Sequence, residues 1–198
     1  MMSKSEHTKK FILDSVSPIF NKKGYAATSL SDLTNATKLT KGAIYGNFEN
    51  KEDLAIKAFR HNVKRVLQPL TEKLNTHIGA INKLFALTNY YREYYDFVND
   101  YGGCPILNIA SDTNNLNDKL FEAVKEVAKK LEESLEELIQ VGISENEIKK
   151  GVNAKMISKN IYSMIEGSVF MAFMHKDKVY ILEMMNHIDE VIKKELLK

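Results

Sequence analysis

The sequence predicts an all-α protein. Nine glycines and three prolines are spread over 198 residues, leucine, isoleucine, lysine and glutamate dominate, and apolar residues recur at helical spacing in one segment after another. A hydrophobic content of 44% is enough to bury a core, and the length suits one or two domains. The first helix is expected around Ile12 to Phe20, ending at Lys23-Gly24-Tyr25, with Pro18 imposing a kink where it forfeits a hydrogen bond.

Residues 28–54 then read as two very short helices around a tight turn, running into a third. That is a helix-turn-helix, the arrangement that places one helix in a DNA groove. The first short helix starts after Ser29 and carries Leu30, Leu33 and Thr34 on its inner side, with Asp32 near its positive end. The chain turns through Thr37-Lys38-Leu39 and restarts at Thr40, whose hydroxyl caps the next helix and suits a phosphate. Lys41, Gly42 and Ala43 open this recognition helix: the last two add almost no bulk, and Lys41 reaches a phosphate or a guanine edge. Ile44 and Phe48 point into the core, leaving Tyr45 and Asn47 toward the sugar-phosphate surface. Asn50-Lys51-Glu52-Asp53 is an N-cap and acidic first turn that sets Lys51 beside the DNA backbone.

In its order of residues this stretch resembles the DNA-binding domain of the TetR family of bacterial transcriptional regulators. The matching positions are Ile12 to Phe20, Lys23-Gly24-Tyr25, Thr28-Ser29, Leu33, Thr40 to Tyr45, Phe48 and Lys51-Glu52-Asp53-Leu54. The resemblance implies a three-helix DNA-binding domain over residues 1–50 and a helical ligand-binding and dimerisation domain over 51–198. The DNA-contacting set it implies is Thr28, Ser29, Lys38, Thr40, Lys41, Gly42, Ala43, Tyr45, Gly46, Asn47 and Lys51. The implied function is a transcriptional repressor, held on a palindromic double-stranded operator and released by a small-molecule inducer. Two departures fall where they bear on DNA choice. Thr37-Lys38 replaces the usual Ala-Gly turn, so Lys38 has to take a left-handed conformation at about 1 kcal/mol. Gly46 stands where histidine is frequent and removes one side-chain contact.

Further helices are expected at 51–68, which Pro69 bends or ends, and at about 78–101, 105–112, 116–141, 153–175 and 178–196. The row Leu120, Val124, Val127, Leu131, Leu135 and Leu138 makes an amphipathic helix, and at little more than two heptads it is short for a zipper. The last two helices carry Ile157, Ile161, Ile165, Val169 and Ala172, and Ile181, Met185, Ile188 and Ile192. The resemblance implies that two such helices pair across a two-fold axis as a four-helix bundle, giving a homodimer with two recognition helices.

The sensed signal leaves two traces. Tyr90, Tyr91, Tyr94, Tyr95, Phe97 and Tyr101 crowd one helical stretch, with Phe121, Tyr162, Phe170 and Phe173 from later helices, enough to wall a ligand cavity or to serve as core. Glu166, in an otherwise apolar helix, is the candidate polar group of such a cavity. Gly103-Cys104 followed by Asn108 resembles a Gly-Cys-x-x-x-Asn segment of a family subgroup, some of whose members answer electrophiles or oxidants through the cysteine. The candidate ligand-binding set is Tyr94, Tyr101, Cys104, Asn108, Phe121, Tyr162, Glu166 and Phe170. Cys104 also reads simply as a small buried hydrophobe.

Charge is uneven: residues 1–51 hold eight lysines against four acids, whereas 52–198 hold 20 basic and 22 acidic residues, within a net charge of +2. A basic N-terminal quarter suits a phosphate backbone. No apolar signal region is seen, and the longest apolar run, Val169 to Met174, is six residues, so a cytoplasmic chain with no membrane partner is expected. One cysteine rules out an intrachain disulfide. The five histidines show no metal-ligand spacing, and no nucleotide loop or nucleophile elbow occurs, so no enzyme activity, metal or cofactor is expected. An architectural DNA binder without inducer is the remaining alternative.

Overall fold

The computed structural model describes residues 3–198. Its helices are α1 (Lys4–Ala27), α2 (Leu30–Thr37), α3 (Lys41–Tyr45), α4 (Lys51–Asn75), α5 (Ala80–Asn99), α6 (Pro105–Thr113), α7 (Asp118–Ser144), α8 (Ala154–His175) and α9 (Val179–Val191). A π-helical turn, Ile192–Leu196, follows α9. Among the described residues no strand forms, so the fold is all-α, as expected.

The chain divides into two compact units, Met1–Val66 with Asp100–Lys125, and Leu67–Asn99 with Glu126–Lys198. In the first, Ile12, Val16 and Phe20 lie one helical turn apart on α1 and are fully buried. They pack in one core with Leu33 of α2, Ile44 of α3, Phe48, Leu54 and Phe59 of α4, and Ile109 of α6. α1 begins with a reciprocal cap, Ser3 Oγ accepting from Glu6 N at 3.2 Å while Ser3 N donates to Glu6 Oε2 at 2.6 Å. The backbone leaves helical geometry at Gly24 (φ 80°, ψ 172°), whereas Pro18 sits inside the helix. The kink expected at Pro18 is thus displaced: proline's fixed φ fits a helix, and the break falls where glycine alone tolerates the angle.

The second unit is built on α5, α8 and α9. Leu84 of α5, Ile161, Ile165 and Val169 of α8, and Ile181, Met185 and Ile188 of α9 form its centre. A polar anchor ties α5 to α9: Thr88 Oγ1 donates to Asp189 Oδ1 at 2.6 Å, and Arg92 Nη2 donates to Asp189 Oδ2 at 2.6 Å. At the chain's end Lys149 N donates to Leu196 O at 2.9 Å, and Ile148 and Leu197 form one antiparallel bridge.

Two expectations are corrected here. α4 does not stop at residue 68 but runs through Pro69 to Asn75, because losing one N–H costs a long helix a single bond. The isoleucine rows of α8 and α9, expected to pair across a two-fold axis, are consumed within one protomer: Ile161 and Ile188 are 1% and 0% exposed. The outward faces of these helices instead carry Met156, Phe170, Met174, Val179 and Tyr180.

Candidate nucleic-acid interface and ligand cavity

Four local caps shape the reading head. Ser29 Oγ accepts from Asp32 N at 3.1 Å, and Asp32 Oδ2 accepts from Ser29 N at 2.8 Å, closing a capping box on α2. Lys23 donates to Asp32 Oδ1 at 2.6 Å, and this bond, with those from Ser29, holds the Asp32 carboxyl far below the usual carboxylate range. Lys38 ends α2 in the left-handed region (φ 56°, ψ 20°), as its place in the turn requires, and its N–H donates to Thr34 O at 2.8 Å. Thr40 Oγ1 accepts from Ala43 N at 3.2 Å to start α3, and Asn50 Oδ1 accepts from Asp53 N at 2.9 Å to start α4.

With Ile44 and Phe48 buried, α3 can turn only one way. Lys38, Thr40, Lys41, Gly42 and Ala43 are exposed on one continuous face, and a Cβ added at Gly42 would meet nothing within 4 Å. Gly46 is exposed too, and Asn47 Nδ2 donates to Ala43 O at 2.9 Å, closing the helix. Tyr45 is half-buried, and burial pushes its phenol above the usual range, so its hydroxyl remains a donor at neutral pH. The Lys51 ammonium lies over the Tyr25 ring, 4.6 Å from its centroid. Ser29 is exposed, but Thr28 is fully buried, its hydroxyl donating to Gly24 O at 2.6 Å.

The same unit holds a latch between α1 and α6 that sequence reasoning missed. Asn21 Nδ2 donates to the carbonyls of Tyr101 (2.8 Å) and Gly103 (3.0 Å), while Asn108 Nδ2 donates back to Asn21 O (3.1 Å) and to Gly102 O (2.7 Å). One turn on, Tyr25 N donates to the Asp112 carboxylate, which lies so close to Gly24 that an added Cβ would stand 2.5 Å from Oδ1. α6 is thereby fastened to α1 where the backbone turns toward α2. A readable signal existed: Ser17, Asn21, Gly24 and Thr28 form a small, polar row at helical spacing beside the apolar row, and all four are buried. Asn62 of α4 completes it by donating to Ser17 O at 2.8 Å.

Cys104 stands as N-cap of α6 ahead of Pro105, makes no side-chain cap bond and is 2% exposed. That is the environment of a small buried hydrophobe, one of the two readings of Cys104 from the sequence. Tyr101, in the same unit, lies under Arg65 at 5.0 Å, and Phe121 is half-buried on α7.

The second unit holds a cavity of about 180 Å³. Its floor is Leu70, Tyr91, Leu135 and Ile165, all buried. Leu67, Leu74, Leu87, Leu131, Leu138 and Tyr162 wall it, and the exposed Thr71 and Ser134 stand at its mouth. Of the ligand-site candidates read from sequence, Tyr162 lines this cavity; Tyr101, Cys104, Asn108 and Phe121 belong to the first unit. Tyr94 packs edge-on with Tyr90 and against Tyr91, at 5.8 and 5.1 Å between centroids, and Phe170 is 50% exposed. Glu166 keeps Oε2 out of solvent with no hydrogen-bond partner among the described residues, and burial raises its carboxyl to about 7, Tyr162 opposing. Among the described residues no group of three or more His, Cys, Asp or Glu is placed to hold a metal ion, and no helix is long and apolar enough to cross a membrane.

Comparison with known proteins gives two domain matches. Residues 12–58 match the domain described as bacterial regulatory proteins, tetR family, and residues 80–188 match the tetracyclin repressor-like C-terminal domain. A TetR-family transcriptional regulator from Cytophaga hutchinsonii superimposes with a TM-score of 0.91 at 33% identity, covering 100% of this chain and 99% of that one. A TetR regulator from Chloroflexus aurantiacus has a TM-score of 0.91 at 31% identity over 99% of each chain. The uncharacterized HTH-type transcriptional regulator YxaF of Bacillus subtilis is 26% identical over 98% of this chain and 100% of its own length. The HTH-type transcriptional regulator LmrA of the same organism is 26% identical over 92% and 95%.

Proposed function

The chain belongs to the TetR family of bacterial regulatory proteins, and we propose that this DNA-binding transcriptional regulator is a repressor whose dimer grips a palindromic operator until an effector enters the cavity of the second unit. The observation that carries the reading is the exposed face of Lys38, Thr40, Lys41, Gly42 and Ala43, fixed by the burial of Ile44 and Phe48 behind it. Lys41, at the first turn of α3, is the residue for a guanine edge or a phosphate; Gly42 and Ala43 let the helix seat deeply. Thr40, Tyr45 and Lys38 supply backbone contacts that set register. Thr28 acts from beneath, holding the turn of α1.

Dimerisation is assigned to the outward row Ser163, Gly167, Phe170 and Met174 of α8, with Val179 and Tyr180 beside it on α9. Small residues at 163 and 167 let a second helix approach closely, and the apolar side chains, half exposed in the protomer, supply area to bury. The effector acts by preferring a state in which the spacing of the two recognition helices no longer matches successive turns of the major groove, since equal affinity for both states shifts nothing.

The test is a gel shift of the purified protein with DNA flanking its own gene, at two salt concentrations. A discrete complex that weakens steeply with salt, and that Lys41→Ala weakens about tenfold, is expected. Binding that is indifferent to Lys41→Ala rejects the assigned face. Phe170→Glu and Met174→Glu should give monomers in sedimentation; a persistent dimer rejects the assigned interface.

A further inference from the structure

The cavity's lining specifies the kind of molecule it takes, an inference that rests on reading the cavity as the effector site. Twelve residues line it and, among the described residues, none is acidic or basic: seven leucines and an isoleucine surround two tyrosines, with Thr71 and Ser134 alone at the mouth. Its volume is about 180 Å³, and an apolar cavity of about 150 Å³ accommodates one benzene. The space therefore matches a single substituted ring or a short hydrocarbon, too small for a fused polycycle or a long acyl chain. At the mouth, the Thr71 hydroxyl hydrogen is already given to Leu67 O at 3.0 Å, which leaves Thr71 Oγ1 as an acceptor. A ligand hydroxyl would complete that oxygen's bonding, with the Ser134 hydroxyl opposite it.

We propose that the effector is a compact neutral alcohol or phenol, its hydrocarbon part on the leucine floor and its hydroxyl donating to Thr71 at the mouth. Charged congeners are rejected, because an ammonium or carboxylate carried past the mouth finds no counter-charge on the walls. Neutral hydrocarbons lacking the hydroxyl should enter as well, more weakly only by the net worth of one hydrogen bond, because the exposed Thr71 oxygen otherwise bonds water.

The experiment is calorimetric titration of the full-length dimer with p-cresol, toluene, 4-methylbenzoate and 4-methylbenzylamine, repeated with Leu87→Phe and Leu138→Phe, each of which fills the cavity from a half-buried wall position. Operator affinity is measured alongside. Expected are p-cresol binding at least about tenfold tighter than either charged congener, loss of that binding in whichever filling variant unfolds cooperatively, and a Thr71→Val variant that weakens p-cresol while leaving toluene unchanged. A charged congener that binds as tightly as p-cresol and is displaced by cavity filling overturns the proposed class while leaving the cavity as effector site. Binding of p-cresol that survives both filling variants, or no binding by any of the four, overturns the proposal. Cavity binding that leaves operator affinity untouched supports the ligand class and refutes the effector role instead.

Discussion

In the first unit, the ends of helices are pinned by directional bonds: the Asn21 amide donates to the Tyr101 carbonyl ahead of α6 and the Asn108 amide donates to the Asn21 carbonyl on α1, Asp112 takes the Tyr25 N–H, and Ser29, Thr40 and Asn50 each cap the helix they begin. In the second unit a few directional bonds, the Thr88–Asp189–Arg92 anchor, the Ile81 N–H given to Glu147 Oε2 at 3.1 Å and the Asn153 cap of α8, join helices that otherwise pack through leucine and isoleucine rows; these leave a cavity of about 180 Å³ and, among the described residues, give Glu166 Oε2 no hydrogen-bond partner. Hydrogen bonds fix angles, so a reading head that must meet a groove in one orientation is built with them. Apolar contacts are non-directional, so a unit packed mainly by them can exchange one packing for another at small cost, as the proposed effector response requires. The same chain thus uses polar burial where the reading head holds its geometry and leaves apolar slack around the cavity proposed for the effector.

The most severe way to break the comparison is at Gly24. Gly24→Val should cost about 4 kcal/mol, from a backbone angle that valine resists and from contact with Asp112, and should abolish operator binding; a thermal melt within error of wild type would mean the latch has no weight. Asp112→Ala leaves the Tyr25 N–H without its acceptor and should cost about 2 kcal/mol, read in urea unfolding, with operator affinity falling further than that of an equally destabilising change in α8.

Glu166 tests the second unit from the opposite side. Its carboxyl is raised to about 7 in the folded chain against 4.5 ordinarily, so the stability it permits is full below 4.5 and is lost as pH rises through 7. Glu166→Gln should therefore leave unfolding unchanged at pH 4.5 and stabilise by about 2 kcal/mol at pH 8. Equal effects at both pH values would show that its burial is relieved in solution. The smallest effect is expected at the turn: Lys38→Gly relieves the left-handed angle and should add about 1 kcal/mol of stability, while weakening operator binding through the lost charge. An unstrained Lys38 would show no gain in the melt.

The reading head was legible because each of its parts is a local rule. Ser29 with Asp32, Thr40 and Asn50 announce helix starts, and Lys38 between two helices has to adopt positive φ whatever its neighbours. The latch was harder to read, since Asn108 and Asp112 look like an exposed edge of α6 until α1 is laid against them. The cavity was not legible: periodicity tells which face of α4 or α7 is apolar, not whether the facing side chains fill the space. Tyr90, Tyr91 and Tyr94, crowded enough to suggest a pocket, pack largely on one another, and of the three only Tyr91 reaches the cavity, which leucines from α4, α5 and α7 define. The isoleucines of α8 and α9 were misassigned to a dimer contact for the same reason: an apolar stripe states that it is buried, not against what.

Amide hydrogen exchange of the dimer, resolved by peptide, puts the contrast between the units to its most direct test. The account predicts that residues 17–28 and 102–113 exchange slowly and together, as one latched body, while 67–74 and 131–138 exchange faster and become protected on adding p-cresol. Fast exchange across 102–113, or cavity segments already as protected as the latch and unmoved by ligand, would contradict it.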